Sequence, residues 1–75
     1  QPTNAKLRKR AAHIISVLTG INEKDAALRL EEADNDVAVA VMMERLKIPA
    51  DNARKLLTKT RGDVRAAIAL HKSSG

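Results

Sequence analysis

The fold class depends on how eight residues are interpreted: Asp36-Val37-Ala38-Val39-Ala40-Val41-Met42-Met43. On intrinsic propensity alone, the three valines of this run favour a β-strand. An internal repeat argues against the strand, because the segment returns 27 residues later as Asp63-Val64-Arg65-Ala66-Ala67-Ile68-Ala69-Leu70, which has the composition of a helix. We therefore predict a helix over residues 37–47, and its nearly uniform apolar character predicts a central place in the fold.

The repeat begins at residue 21 and contains two copies of a helix pair. Positions 27 residues apart carry the same amino acid: Ile21 and Ile48, Ala26 and Ala53, Leu30 and Leu57, Asp36 and Asp63, Val37 and Val64, Ala40 and Ala67. Two copies are too few for a solenoid. With one more helix before the repeat, the sequence predicts a single all-α domain over residues 1–75, a small five-helix bundle. The predicted helices cover residues 4–19, 22–34, 37–47, 49–60 and 64–72.

The first predicted helix is amphipathic. Its apolar residues recur at helical spacing on one side of the cylinder: Leu7, Ala11, Ile14 and Leu18. Such a stripe ordinarily faces the protein core. The basic residues lie largely elsewhere around the helix, and Gly20 can take the left-handed conformation that ends it.

Composition limits the compartment and the chemistry. The chain has no cysteine, and therefore neither a disulfide nor a thiolate ligand, which fits a reducing compartment. The longest apolar run, Val37 to Met43, is far shorter than the roughly 20 residues that span a bilayer, and the polar N-terminus has no signal-peptide pattern. We therefore predict a cytoplasmic protein without a membrane anchor.

The charge is basic and unevenly distributed. The net charge is +5, with four cations and no acid in residues 1–20 and seven cations against two acids in residues 47–75. A basic helix can bind nucleic-acid phosphates, and helix pairs joined by short turns superficially resemble a helix-turn-helix. However, a basic run is usually a solvated face, and the chain has no Phe, Tyr or Trp on which single-stranded bases could stack. We do not expect a nucleic-acid partner.

Two resemblances to known families follow. The repeated unit, a helix, a tight turn, Asp-Val and an Ala-rich helix, resembles the small fold of ubiquitin-associated (UBA) domains and of the N-terminal domain of elongation factor Ts. A closer resemblance covers nearly the whole chain and depends on the order and spacing of these segments: Thr3–Ala11, Ile14-Ile15, Thr19-Gly20, Leu30–Ala33, Val39–Met43, Asn52–Leu57 and Gly62–Ile68. They resemble the C-terminal region of bacterial N-acetylmuramic acid 6-phosphate etherases.

The etherase resemblance implies an accessory role. In that family a sugar isomerase (SIS) domain, expected upstream of these residues, cleaves the lactyl ether of a cell-wall sugar phosphate. No catalytic residue is therefore carried over to this chain, which alone is not expected to be an enzyme, whereas the longer protein would be a carbon–oxygen lyase. We expect no cofactor and no metal. The junction Leu46-Lys47-Ile48-Pro49 departs from the more glycine-like connection that we would expect.

The implied partners are the protein's own SIS domain and the second subunit of a dimer. We expect these contacts through the uncovered apolar face of the fourth and fifth helices. The domain would support the dimer and help to complete the sugar-phosphate pocket.

Asn4 and Lys6 are the candidate substrate-binding residues. They lie at the start of the first helix, where free backbone N–H groups and the positive end of the helix dipole favour an anion. Our hypothesis is that in the longer protein Asn4 bonds a sugar hydroxyl and Lys6 bonds the phosphate. The alternative, which is the default from sequence alone, is an ordinary capped helix with solvated cations.

A free-standing UBA-like protein-interaction module is the alternative function. UBA domains usually present Met-Gly-Phe or Met-Gly-Tyr after their first helix, where this chain has Thr19-Gly20-Ile21 and lacks the aromatic hot-spot residue.

Two groups of polar residues could be mistaken for catalytic or metal-binding sites. His13 and His71 are predicted to be structural or exposed, and the carboxylates at positions 31–36 lack the glycine and final glutamate of a calcium loop.

Overall fold

The computed structural model describes residues 2–74, with side chains over residues 5–73. It contains five helices: α1 Pro2–Thr19, α2 Glu23–Glu32, α3 Val37–Leu46, α4 Ala50–Lys59 and α5 Val64–Ser74. These bounds differ from the predicted ones by at most two residues. Residues 2–74 contain no strand, so the prediction of a small all-α bundle is confirmed. None of the helices described is both long enough and apolar enough to cross a membrane.

Helix α3 lies at the centre of the bundle. It contacts α1, α2, α4 and α5, and the side chains of residues 39–43 are all buried, with Met42 fully enclosed. A helix covered on several sides needs apolar residues around most of its circumference, which explains the run of valines without a strand. The predicted helix over residues 37–47 and the interior position of Met42 and Met43 are confirmed.

The sequence repeat is also a structural repeat. Buried positions recur in pairs: Ala26 with Ala53, Leu30 with Leu57, and Ala40 with Ala67. The turns recur as well, because the Asn35 N–H donates to the Leu30 carbonyl at 2.9 Å and the Gly62 N–H donates to the Leu57 carbonyl at 2.8 Å. Since α3 of the first copy packs against α4 and α5 of the second, the two copies share one interior.

Side chains cap the N-termini of three helices, α2, α3 and α5. A carboxylate or amide oxygen accepts a backbone N–H three residues later, which satisfies a donor that the helix itself leaves free. The pairs are Asn22 with the Asp25 N–H at 2.8 Å, Asp36 with the Val39 N–H at 3.3 Å, and Asp63 with the Ala66 N–H at 3.0 Å. These caps fix where α2, α3 and α5 start.

Helix α1 faces the core with a different side from the predicted one. Ala12 and Ile15 are 4% and 0% exposed, whereas Leu7, Ile14 and Leu18 are 56%, 41% and 52% exposed. Of the four residues in the predicted apolar stripe, Ala11 packs against the core, whereas Leu7, Ile14 and Leu18 do not, so the usual inward orientation of such a stripe does not hold here.

The physical reason lies in the polar residues of the inner side. The Ser16 hydroxyl donates to the Ile21 carbonyl at 2.6 Å, and the Thr19 hydroxyl donates to the Ile15 carbonyl at 2.7 Å. Because each hydroxyl is satisfied locally, it can be partly buried at little cost. A side that looks polar in the sequence therefore packs against the bundle.

At the α3–α4 junction, a lysine adopts a backbone conformation that is typical of glycine. Lys47 has φ 57°, in the left-handed region, and its N–H donates to the Met43 carbonyl as a helix cap. That conformation suits glycine and is costly for other residues. The expected glycine-like connection is therefore present in the backbone despite the departure in sequence.

Candidate functional site

The predicted substrate-binding residues lie near the beginning of α1. Because the helix begins at Pro2, Asn4 lies in its first turn and Lys6 in its second. The Asn4 side chain is outside the described residues. The Lys6 side chain is exposed and forms no hydrogen bond or ion pair with any residue in the range 5–73, so its ammonium group is available to an external anion.

Lys6 is one of four exposed cations on α1: Lys6, Arg8, Lys9 and Arg10. The helix contains no acidic residue, and within the described residues its one link to an acidic side chain is the hydrogen bond between His13 Nδ1 and Glu23 Oε2 on α2, at 3.0 Å. Uncompensated charge of one sign attracts anions or acidic protein surfaces. The N-terminal half of α1 is therefore the positively charged part of this candidate site.

A cleft of about 320 Å³ lies beside α1 and α2. Its charged lining is mixed, with Arg8 and Lys9 from α1 and Glu23 and Glu31 from α2. Neighbouring carboxylates repel a phosphate, and Lys6 is not part of the lining. This cleft therefore does not form the predicted sugar-phosphate site.

The outer side of α1 carries an apolar surface, which we call the α1 stripe: Leu7, Ile14 and Leu18. The side chains are about half exposed, and at 100° per residue they fall within an arc of about 40° on the helix. Sequence reasoning found the stripe but assigned it to the core. The signal for the true inner side was the second set of positions at helical spacing, Ala12 and Ile15.

Several of the other polar residues singled out in the sequence have structural partners. Asp34 Oδ2 accepts a hydrogen bond from Arg54 Nη2 at 3.0 Å, and Glu32 pairs with Arg29. No group of three or more potential metal ligands occurs among the described residues. His71 is partly buried. Asp36 therefore acts as a helix cap, and Glu32 and Asp34 act in surface ion pairs.

Comparison with curated proteins gives matches along almost the whole chain. The chain is 38% identical over 72 residues to N-acetylmuramic acid 6-phosphate etherase 1 of Bacillus licheniformis, a match that covers 96% of the chain and 24% of the relative. It is 39% identical over 67 residues to the etherase of Lactobacillus johnsonii, covering 89% of the chain and 22% of the relative. The chain is homologous to one part of the N-acetylmuramic acid 6-phosphate etherases. The etherase of Trichormus variabilis agrees, with 36% identity over 73 residues, 97% of the chain and 24% of the relative.

The chain matches only one part of each etherase. The chain spans about a quarter of the length of these etherases, which is consistent with the predicted C-terminal domain. A scan against protein families gave no match, and no solved structure matched significantly. The likeness to UBA domains therefore stays a prediction.

Proposed function

We propose that this chain is the accessory C-terminal domain of an N-acetylmuramic acid 6-phosphate etherase. It packs on the SIS domain of the same protein, supports the dimer, and completes the sugar-phosphate site with Asn4 and Lys6. The longer protein is a carbon–oxygen lyase of the bacterial cytoplasm, acting in the recycling of cell-wall sugars. The chemistry belongs to the SIS domain, and the helical domain contributes binding and assembly.

One observation carries the proposal. The etherase matches cover 89–97% of this chain but only 22–24% of the three relatives described above. A compact helical bundle that matches only about a quarter of each relative is compatible with one domain of a larger enzyme. The predicted residues fit this role, because Lys6 is an exposed cation near a helix N-terminus, where the dipole also favours a phosphate.

The accessory role can be tested in a chimera in which this chain replaces the matching segment of the Bacillus licheniformis etherase. We expect the chimera to cleave N-acetylmuramic acid 6-phosphate and to sediment as a dimer. The same etherase without the segment should lose both properties. A segment-free enzyme with unchanged activity and unchanged sedimentation would contradict the proposal.

The contribution of Lys6 needs a separate kinetic test in the same chimera. A charged hydrogen bond contributes about 1.5–3 kcal/mol, so Lys6→Ala should raise KM for the sugar phosphate about tenfold or more. Lys55→Ala is the matched control, because Lys55 is also exposed but lies on α4. The KM of this control variant should stay unchanged. Equal KM values for both variants would show that Lys6 is not part of the substrate site. The accessory role would then be judged by the comparison of the chimera with the segment-free etherase.

A free-standing UBA-like interaction module is the second candidate. It is favoured only by the all-α bundle, and the residues at the end of α1 and just beyond it, Thr19-Gly20-Ile21, offer no aromatic side chain. The coding sequence upstream of residue 1 separates the two, because only the etherase proposal requires a SIS domain there.

A further inference from the structure

The large apolar side chains that the bundle leaves uncovered are concentrated on one helix. Six such side chains are exposed among the described residues, and four of them lie on α1: the three residues of the α1 stripe and Val17. The other two, Leu28 and Leu70, lie singly on α2 and α5. Single exposed leucines are ordinary, whereas an aligned set on one helix marks an interaction surface.

The stripe cannot be accommodated by a small rotation of α1. Its inner side is already packed, with Ile15 fully enclosed and Ala12 4% exposed, and the Ser16 and Thr19 hydroxyls are bonded to backbone carbonyls. Turning the stripe inward would expose Ile15 and break these contacts. Only an external partner could therefore cover the stripe without disturbing the bundle.

We infer that, in the longer etherase chain, the α1 stripe is covered by an apolar surface of the SIS domain that has acidic residues at its edge. This inference depends on the proposed function and names the contact surface within it. More than three quarters of each relative described above lies outside the matched segment, so ample chain exists to cover the stripe. The surface differs from the face of α4 and α5 that the sequence suggested, where Leu70 is the one large apolar side chain exposed among the residues whose side chains are described.

Charge favours the SIS domain over a second copy of this domain as the partner that covers the α1 stripe. At 100° per residue, Arg10 and Lys6 lie about 40° and 80° beyond the same edge of the stripe, and α1 has no acidic residue. Two copies packed stripe to stripe would bring these cations together, which is unfavourable. A surface with carboxylates at its edge would pair with them, and the same docking would bring Lys6 against the SIS domain that carries the substrate.

Hydroxyl-radical footprinting can measure the coverage directly. The labelling of leucine and isoleucine side chains is compared between the isolated 75-residue chain and the Bacillus licheniformis chimera. Labelling of the α1 stripe should fall about fivefold in the chimera, because half-exposed side chains become interface core. Leu28 is the internal control, since its 49% exposure resembles that of the stripe, and its labelling should stay unchanged. Equal labelling of the stripe in both proteins would overturn the inference.

A pair of variants tests which side chains hold the contact. Leu18→Glu in the chimera should restore labelling of Leu7 and Ile14, whereas Leu28→Glu should not. If the chimera does not fold, the remaining part of the Bacillus licheniformis etherase is added to the isolated chain, and the same loss of labelling is expected at saturation. Unchanged labelling there would also overturn the inference.

Three outcomes separate this inference from its alternatives and from the proposed function. Protection that appears in the isolated chain as its concentration rises would identify a second copy as the occupant and refute the SIS domain. A chimera that is active as an etherase but has a fully labelled stripe refutes the docking surface alone. A chimera with a protected stripe but no etherase activity refutes the proposed function and keeps the docking surface.

Discussion

Two adjacent isoleucines provide a stringent test of how α1 is oriented. Ile15 is 0% exposed and Ile14 is 41% exposed, although the sequence pattern assigns Ile14 to the core. Replacing each by valine removes one methylene group and changes nothing else. Both residues are β-branched, so helix propensity and side-chain entropy change equally in the two variants.

The expected magnitudes follow from burial. Removing a methylene from a fully buried isoleucine costs about 0.5–1.5 kcal/mol, whereas a surface change stays within about 0.5 kcal/mol. A domain of this size is stable by only about 4–11 kcal/mol, so the valine substitution is preferable to alanine, which costs about 2–5 kcal/mol at a buried isoleucine. At about 4–8 °C per kcal/mol, Ile15→Val should lower Tm by about 2–12 °C and Ile14→Val by less than about 4 °C.

The assay is thermal and urea unfolding followed by far-ultraviolet circular dichroism. The chain has no Trp, Tyr or Phe, so intrinsic fluorescence does not report on unfolding, and the helical signal is large. Both variants should keep the wild-type dependence on urea, which reports the surface exposed on unfolding. An Ile14→Val variant that loses as much stability as Ile15→Val, or more, would show that the inner side of α1 is misassigned.

Three further stability predictions use the same assay. Gly62→Ala should cost about 1–2 kcal/mol, because φ is +83° although space for a Cβ is open; an unchanged Tm would show that this backbone conformation carries no strain. Asp63→Ala should cost about 0.5–2 kcal/mol through loss of its cap on the Ala66 N–H, and a smaller loss than that of Asp51→Ala, an exposed partner of Arg54, would contradict the capping role. Met42→Ala should cost about 2–5 kcal/mol, since Met42 is 0% exposed, and a loss below about 1 kcal/mol would place it outside the core.

The repeat made most of the fold predictable. Once positions 36–43 were matched to positions 63–70, the helical state of the second copy decided that of the first, against the β-propensity of the valines. The turn residues also agreed, because Asn35 and Gly62, 27 positions apart, both adopt positive φ. A strand in one copy would have required the same capped turn to lead into two different structures.

The orientation of α1 could not be predicted in the same way. Helix α1 precedes the repeat and has no second copy with which to compare it. Its apolar periodicity shows that one side avoids water, but it does not show whether the bundle or another domain covers that side. The candidate site has the same limit, since Lys6 is positioned by α1, and under the proposed function the groups that hold the rest of a sugar phosphate belong to the SIS domain.

The division of apolar residues between core and surface connects the fold to the proposed role. Among the described residues, six of the thirteen buried hydrophobic side chains are alanines: Ala12, Ala26, Ala33, Ala40, Ala53 and Ala67. Alanine permits close helix packing but removes little apolar area from water, so this core is thin. Meanwhile Leu7, Ile14 and Leu18 remain about half exposed. A domain that places its small residues inside and aliphatic side chains outside gains further stability when a partner covers them, which gives the proposed docking of the α1 stripe its energetic reason.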